Sequence, residues 1–122
     1  MAGLKITRYI GGNMEQTYKN GKKILCIEDE SFISELYARA LRRSGYEVNT
    51  LISGIDGLRA AQSNEYDIIL LDLMIPGMTG FEVLRQLRAS VGDLKAKILI
   101  TTNLDQSDES KEELESMADG YL

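Results

Sequence analysis

Three apolar runs divide the chain: Ile24-Leu25-Cys26-Ile27, Ile68-Ile69-Leu70-Leu71 and Ile98-Leu99-Ile100. Each is short, unbroken by charge and bounded by polar or turn residues, as in a strand buried on both faces of a parallel sheet. A fourth stretch, Tyr46-Glu47-Val48-Asn49-Thr50, alternates as a shorter strand. Between the runs the apolar period changes to that of a helix. Ser31 can cap a helix whose stripe is Ile33, Leu36, Tyr37, Ala40 and Leu41, with Arg42 and Arg43 at its end and Gly45 after it. Ser53-Gly54-Ile55-Asp56 and Thr79-Gly80-Phe81-Glu82 are capping boxes. The first opens a weak helix to near Gln62, and the second a helix that turns Phe81, Leu84 and Leu87 inward. A last helix, about 107–118, has only Leu114 and Met117 as anchors, and Gly120-Tyr121-Leu122 begins a fifth strand. Strand and helix thus alternate, which predicts right-handed βαβ units and an α/β fold with helices on both faces of a parallel sheet.

Residues 1–21 lie outside this pattern. Leu4-Lys5-Ile6-Thr7-Arg8 alternates like a short strand, and Gly11-Gly12-Asn13 ends it. The segment reads as a tail, or as a strand added to an open sheet edge. The remainder, 22–122, is one domain with one core.

Composition narrows the chemistry. The chain has 122 residues, 43% hydrophobic and 27% charged, an ordinary globular balance. No run is long enough to span a bilayer, and no leader precedes a cleavage site, so a cytoplasmic protein is expected. There is no histidine, which removes Ser-His and Cys-His nucleophiles and histidine zinc sites. The single cysteine, Cys26, sits in an apolar run and reads as a small buried hydrophobe. A net charge of −5 argues against direct contact with nucleic acid. Residues 105–119 hold seven acids against one lysine, Lys111, a pattern read as a solvated helix face.

Three strands end in polar groups: Glu28-Asp29, Asp72 and Thr102. In a parallel sheet those ends share the carboxyl edge, where open α/β sheets bind ligands. Gathered carboxylates repel, and a divalent cation relieves the repulsion. All-oxygen donors suit magnesium, which takes one or two carboxylates and keeps several waters. A carboxylate is ionised at neutral pH and can attack phosphorus without a base.

Lys23-Ile24-Leu25-Cys26-Ile27-Glu28-Asp29-Glu30, the block from Leu70 through Asp72 and Pro76-Gly77 to Gly80, the strand ending in Thr102, and Gly120-Tyr121 together resemble the receiver domain of two-component response regulators. The resemblance covers about 22–122. It implies a flavodoxin-like, CheY-like three-layer α/β/α fold with sheet order 2-1-3-4-5. It implies Asp72 as phosphoacceptor and Mg2+ held by Glu28, Asp29, Asp72 and the Met74 backbone carbonyl. Thr102 is the implied switch hydroxyl and Tyr121 the implied switch aromatic. The implied phosphodonor is a histidine kinase or phosphotransfer protein, and the implied role is signalling by phosphorylation rather than turnover of an external substrate. A haloacid-dehalogenase-like phosphatase is excluded by Met74, which stands where such enzymes need a second acid. A phosphorylation-independent interaction module on the same scaffold remains the alternative.

Four departures from the family pattern carry expectations. Glu28 is longer than the commoner aspartate. Asn103 stands where the family has a small residue after the switch threonine, and with Met74 and Leu104 it predicts slow loss of the phosphoryl group. The family lysine falls two residues past Leu122, and Lys95, Lys97 and Lys111 do not match it. The fifth strand and helix are therefore expected to be incomplete. That leaves an apolar sheet face to be covered by another copy in a homodimer or domain-swapped dimer, by the N-terminal segment, or by a missing piece.

Overall fold

The computed structural model describes residues 5–10, 13–18, 22–101 and 108–122. The strands are β1 (Lys5–Ile10), β2 (Asn13–Tyr18), β3 (Lys23–Ile27), β4 (Glu47–Leu51), β5 (Ile68–Leu71), β6 (Lys97–Ile100) and β7 (Gly120–Tyr121). The helices are α1 (Ser31–Arg43), α2 (Gly54–Ala61), α3 (Gly80–Ser90) and α4 (Asp108–Met117).

Strands β3 to β7 form one parallel sheet in the order β4-β3-β5-β6-β7, which is 2-1-3-4-5 counted within the sheet. The unbroken apolar runs lie at its centre because both faces there are covered. Along β3, Leu25 and Ile27 point into one cluster and Ile24 and Cys26 into the other. The first cluster takes Ile69, Leu71, Ile98 and Ile100 from the sheet, and Leu58, Leu84, Leu87 and Leu114 from α2, α3 and α4. The second takes Leu70 and Val48 with Ala38 of α1. Among the described residues α1 is the helix on that face, and Ile68 and Leu99 are half-buried there.

The N-caps predicted at Ser53 and Thr79 form. The Ser53 hydroxyl accepts the Asp56 N–H at 3.1 Å, and the Thr79 hydroxyl accepts that of Glu82 at 3.2 Å. α1 differs from expectation in two ways. Its N-cap is Glu30, with no side-chain cap, and Ser31 is already helical. Its buried positions are Ser34 and Ala38, with Ile33, Tyr37 and Leu41 half-buried, while Leu36 is exposed. This buried pair is small, and the contact stripe is rotated from the one that hydrophobicity marked. α3 buries Val83, Leu84 and Leu87, whereas Phe81 is half-buried with Arg85 5.8 Å from its ring centre.

Residues 1–21 carry two strands where the sequence suggested one. β1 and β2 pair antiparallel with each other, from Lys5 opposite Tyr18 to Ile10 opposite Asn13, in a sheet separate from the parallel one. Gly11-Gly12 between them is a sequence that two-residue hairpin connections favour.

The packing predicts a contrast within the apolar set. Leu84→Ala, in the fully buried core, should cost about 2–5 kcal/mol in urea denaturation. Phe32→Ala, on the exposed face of α1, should change stability by about 0.5 kcal/mol or less.

Candidate functional site

The sheet register builds the site. The backbone N–H of Asp72 donates to the carbonyl of Ile27 at 3.0 Å, that of Thr101 to Leu71 at 3.1 Å, and that of Glu28 to Leu51 at 3.0 Å. Each residue is the first after its strand, and each is anchored to the last carbonyl of the neighbouring strand. Glu28, Asp72 and Thr101 therefore stand in a row along the carboxyl edge, with Asp29 beside them. One carboxylate oxygen from each of Glu28, Asp29 and Asp72 lies within 4.8 Å of the others. Glu28 and Asp72 are buried and Asp29 is exposed.

The loop after Asp72 holds that side chain in place. Its Oδ1 accepts the Met74 N–H at 3.0 Å, and the Gly80 N–H donates to the Leu73 carbonyl at 3.1 Å. Gly80 fits because it has no Cβ. One placed there would lie 2.5 Å from the Asp72 carbonyl oxygen and from Leu73 Cα. Gly77 turns the loop at a φ of +81°.

Burial pushes the Glu28 carboxyl up to about 7 from an ordinary 4.5, and a hydrogen bond with Asp72 and the Asp72 charge add to it. The Glu30 N–H, 3.2 Å from Glu28 Oε2, opposes the shift and folds the longer glutamate arm back on its own turn. Beneath the site, burial and the Glu28 charge raise the Cys26 thiol to about 11, so it stays protonated and inert, as its apolar run suggested.

The donors fit magnesium: they are all oxygen, carboxylate-rich and compact, and burial disfavours the Glu28 charge that a cation would stabilise. Lys95 and Lys97 lie at the other end of the sheet. Lys97 begins β6, and the Lys95 ammonium is 3.5 Å from Asp67 Oδ1.

Thr102, Asn103 and Leu104 fall outside the described residues. Thr101 does not, and the pairing of Leu71 with Ile100 sets it beside Asp72. Tyr121, about half exposed, pairs with Ile100 and so lies next to the Thr101 turn. Met74 is 74% exposed at the mouth of the site.

The match to known proteins covers the same elements. A family model for the response regulator receiver domain matches residues 24–122. This chain belongs to that family. The receiver is 40% identical over 101 residues to the alkaline phosphatase synthesis transcriptional regulatory protein PhoP of Bacillus subtilis, covering 83% of this chain and 41% of that protein. It is 35% identical over 100 residues to the transcriptional regulatory protein HprR of Escherichia coli, covering 82% and 44%. The receiver thus spans less than half the length of these relatives. Among solved structures it resembles the response regulator TrrA of Thermotoga maritima in complex with Mg2+ and BeF, at 36% identity and a TM-score of 0.69, with 83% and 84% of the two chains covered. It also resembles the receiver domain of the sensor histidine kinase PA1611 of Pseudomonas aeruginosa, which has magnesium coordinated in its active-site cleft, at 28% identity and a TM-score of 0.73, with 84% of each chain covered. Receivers are signalling domains of two-component systems. No helix among the described residues is long and apolar enough to cross a membrane.

The Glu28 shift has a direction in pH. The unfolded chain releases this proton near 4.5, and the folded receiver holds it to about 7. The group therefore favours the folded state most below pH 4.5, and that contribution is lost as pH rises through 7. In chelator, thermal denaturation of wild type and Glu28→Gln at pH 5 and pH 8 should show wild type losing more stability on going to pH 8. Equal losses would reject the shift.

Proposed function

We propose that Asp72 accepts a phosphoryl group, with Mg2+ held by Glu28, Asp29, Asp72 and the Met74 backbone carbonyl. The observation that carries this reading is the trio of carboxylate oxygens within 4.8 Å on two adjacent strand ends of a receiver fold. The Asp72 carboxylate attacks phosphorus as the donor's bond to phosphorus breaks. When bound, the cation neutralises charge on the transferred oxygens. Glu28 and Asp29 supply its carboxylate ligands, and the Met74 N–H keeps Asp72 oriented.

We assign the switch hydroxyl to Thr102, which follows Thr101, whose amide bond to Leu71 brings the end of β6 beside Asp72. Closure of that hydroxyl on the phosphoryl oxygens would shift the β6–β7 edge and with it Tyr121, changing partner binding by population shift. The phosphodonor is a histidine kinase or phosphotransfer protein in the cytoplasm, and residues 22–122 are the receiving unit. A second copy on the α1 face of the sheet belongs to the same proposal.

Acetyl phosphate with Mg2+ should add one phosphoryl group to the wild type by intact mass and none to Asp72→Asn. Thr102→Ala should still accept the group but lose the beryllofluoride-induced change at the Tyr121 amide. Modification of Asp72→Asn, or of neither protein, would favour an interaction module that works without phosphorylation. Met74 offers the site mouth no hydrogen bond for an attacking water, so the phosphoryl group should leave slowly. Met74→Asn should shorten its lifetime in a mass-resolved decay.

A further inference from the structure

Helix α2 presses on the acceptor loop at one point. A Cβ placed on Gly54, the first helical residue, would overlap the Met78 carbonyl oxygen and lie 3.0 Å from the Met78 carbonyl carbon and Cβ. Two of these three atoms are backbone, so rotating a side chain cannot relieve the contact. Helix α2 is fixed on its other side. Leu58 and Ala61 are buried in the larger cluster, and the Ser53 cap sets the helix start.

The loop is linked from Met78 back to the carboxylate. The Met78 N–H donates to the Pro76 carbonyl at 3.1 Å, Gly80 holds Leu73, and the Met74 N–H holds Asp72 Oδ1. Met78 also packs against the larger cluster. Displacing it moves the segment that sets both the Met74 carbonyl and the Asp72 carboxylate.

We infer that Gly54 is a positioning residue for the acceptor loop, acting through Met78 on the groups assigned to Mg2+. The inference rests on the acceptor-site reading above. The bare Cα of Gly54 lets α2 serve as a backstop, so the loop sits at the depth at which Met74 and Asp72 face Glu28. A methyl group there pushes the loop rather than the helix, because moving α2 would open the core around Leu58.

Magnesium titration followed by backbone amide shifts tests this on the intact chain. Gly54→Ala should weaken magnesium about tenfold, the scale of outer-shell substitutions. Leu58→Ala, which removes a core side chain from the same helix and leaves the Gly54–Met78 approach intact, should bind as wild type does. In the wild type, with no substitution, magnesium should shift the amides of Gly54 and Ile55 together with those of Met74 and Met78. Wild-type affinity in Gly54→Ala, weakening in both variants in proportion to lost thermal stability, or shifts confined to Met74 and Met78 would each overturn the inference. A wild type that does not respond to magnesium would reject the metal site itself, and this role with it.

Discussion

Strands β3, β5 and β6 of the parallel sheet each pass their exit residue to the strand beside them. The amides of Glu28, Asp72 and Thr101 each bond to the last carbonyl of a neighbour, so three residues separated by dozens of positions become adjacent. The register that sets those bonds is itself set by burial. Ile24 to Ile27 and Ile69 to Leu71 are almost completely excluded from water, and a slip of one residue would exchange the two faces of a strand. Core packing and site geometry are therefore one constraint, and hydrophobic burial enforces it.

That constraint gathers charges that repel. Glu28 is held well above the ordinary carboxylate range by burial and by Asp72, so the fold carries stored electrostatic cost at the edge where it acts. A cation is the natural complement, and two structurally similar receivers contain magnesium. The cost is tolerated because the sheet beneath is dry and closely packed, and because the loop from Asp72 to Gly80 is held by its own amides.

Two acids of the 105–119 segment also make specific contacts. Glu113 pairs with Arg85 at 2.6 Å. Asp119 Oδ2 accepts the Ile98 N–H at 2.8 Å and the Arg88 guanidinium at 3.3 Å. Arg88 also donates twice to the Met117 carbonyl, which closes the C-terminal end of α4. Leu114 is the fully buried anchor of this helix, so polar contacts reaching back to α3 and β6 share in fixing β7 beside Thr101. The two ion pairs among them, Arg85–Glu113 and Arg88–Asp119, are open to solvent, where each is weak alone.

Legible in the residues alone were the alternation of strands and helices, the Ser53 and Thr79 caps, the buried cysteine and the acids that meet at the sheet edge. Those features are local: a cap spans four residues, and an apolar run declares a buried strand without reference to its neighbours. Tertiary structure decided the rest. It rotated α1 so that Ser34 and Ala38 face the sheet in place of Leu36. It paired the N-terminal strands with each other and set Thr101 beside Asp72. It also brought Gly54 against the acceptor loop. Register, helix rotation and backbone approach depend on groups far apart in the chain, and no local pattern of residues encodes which of them will meet.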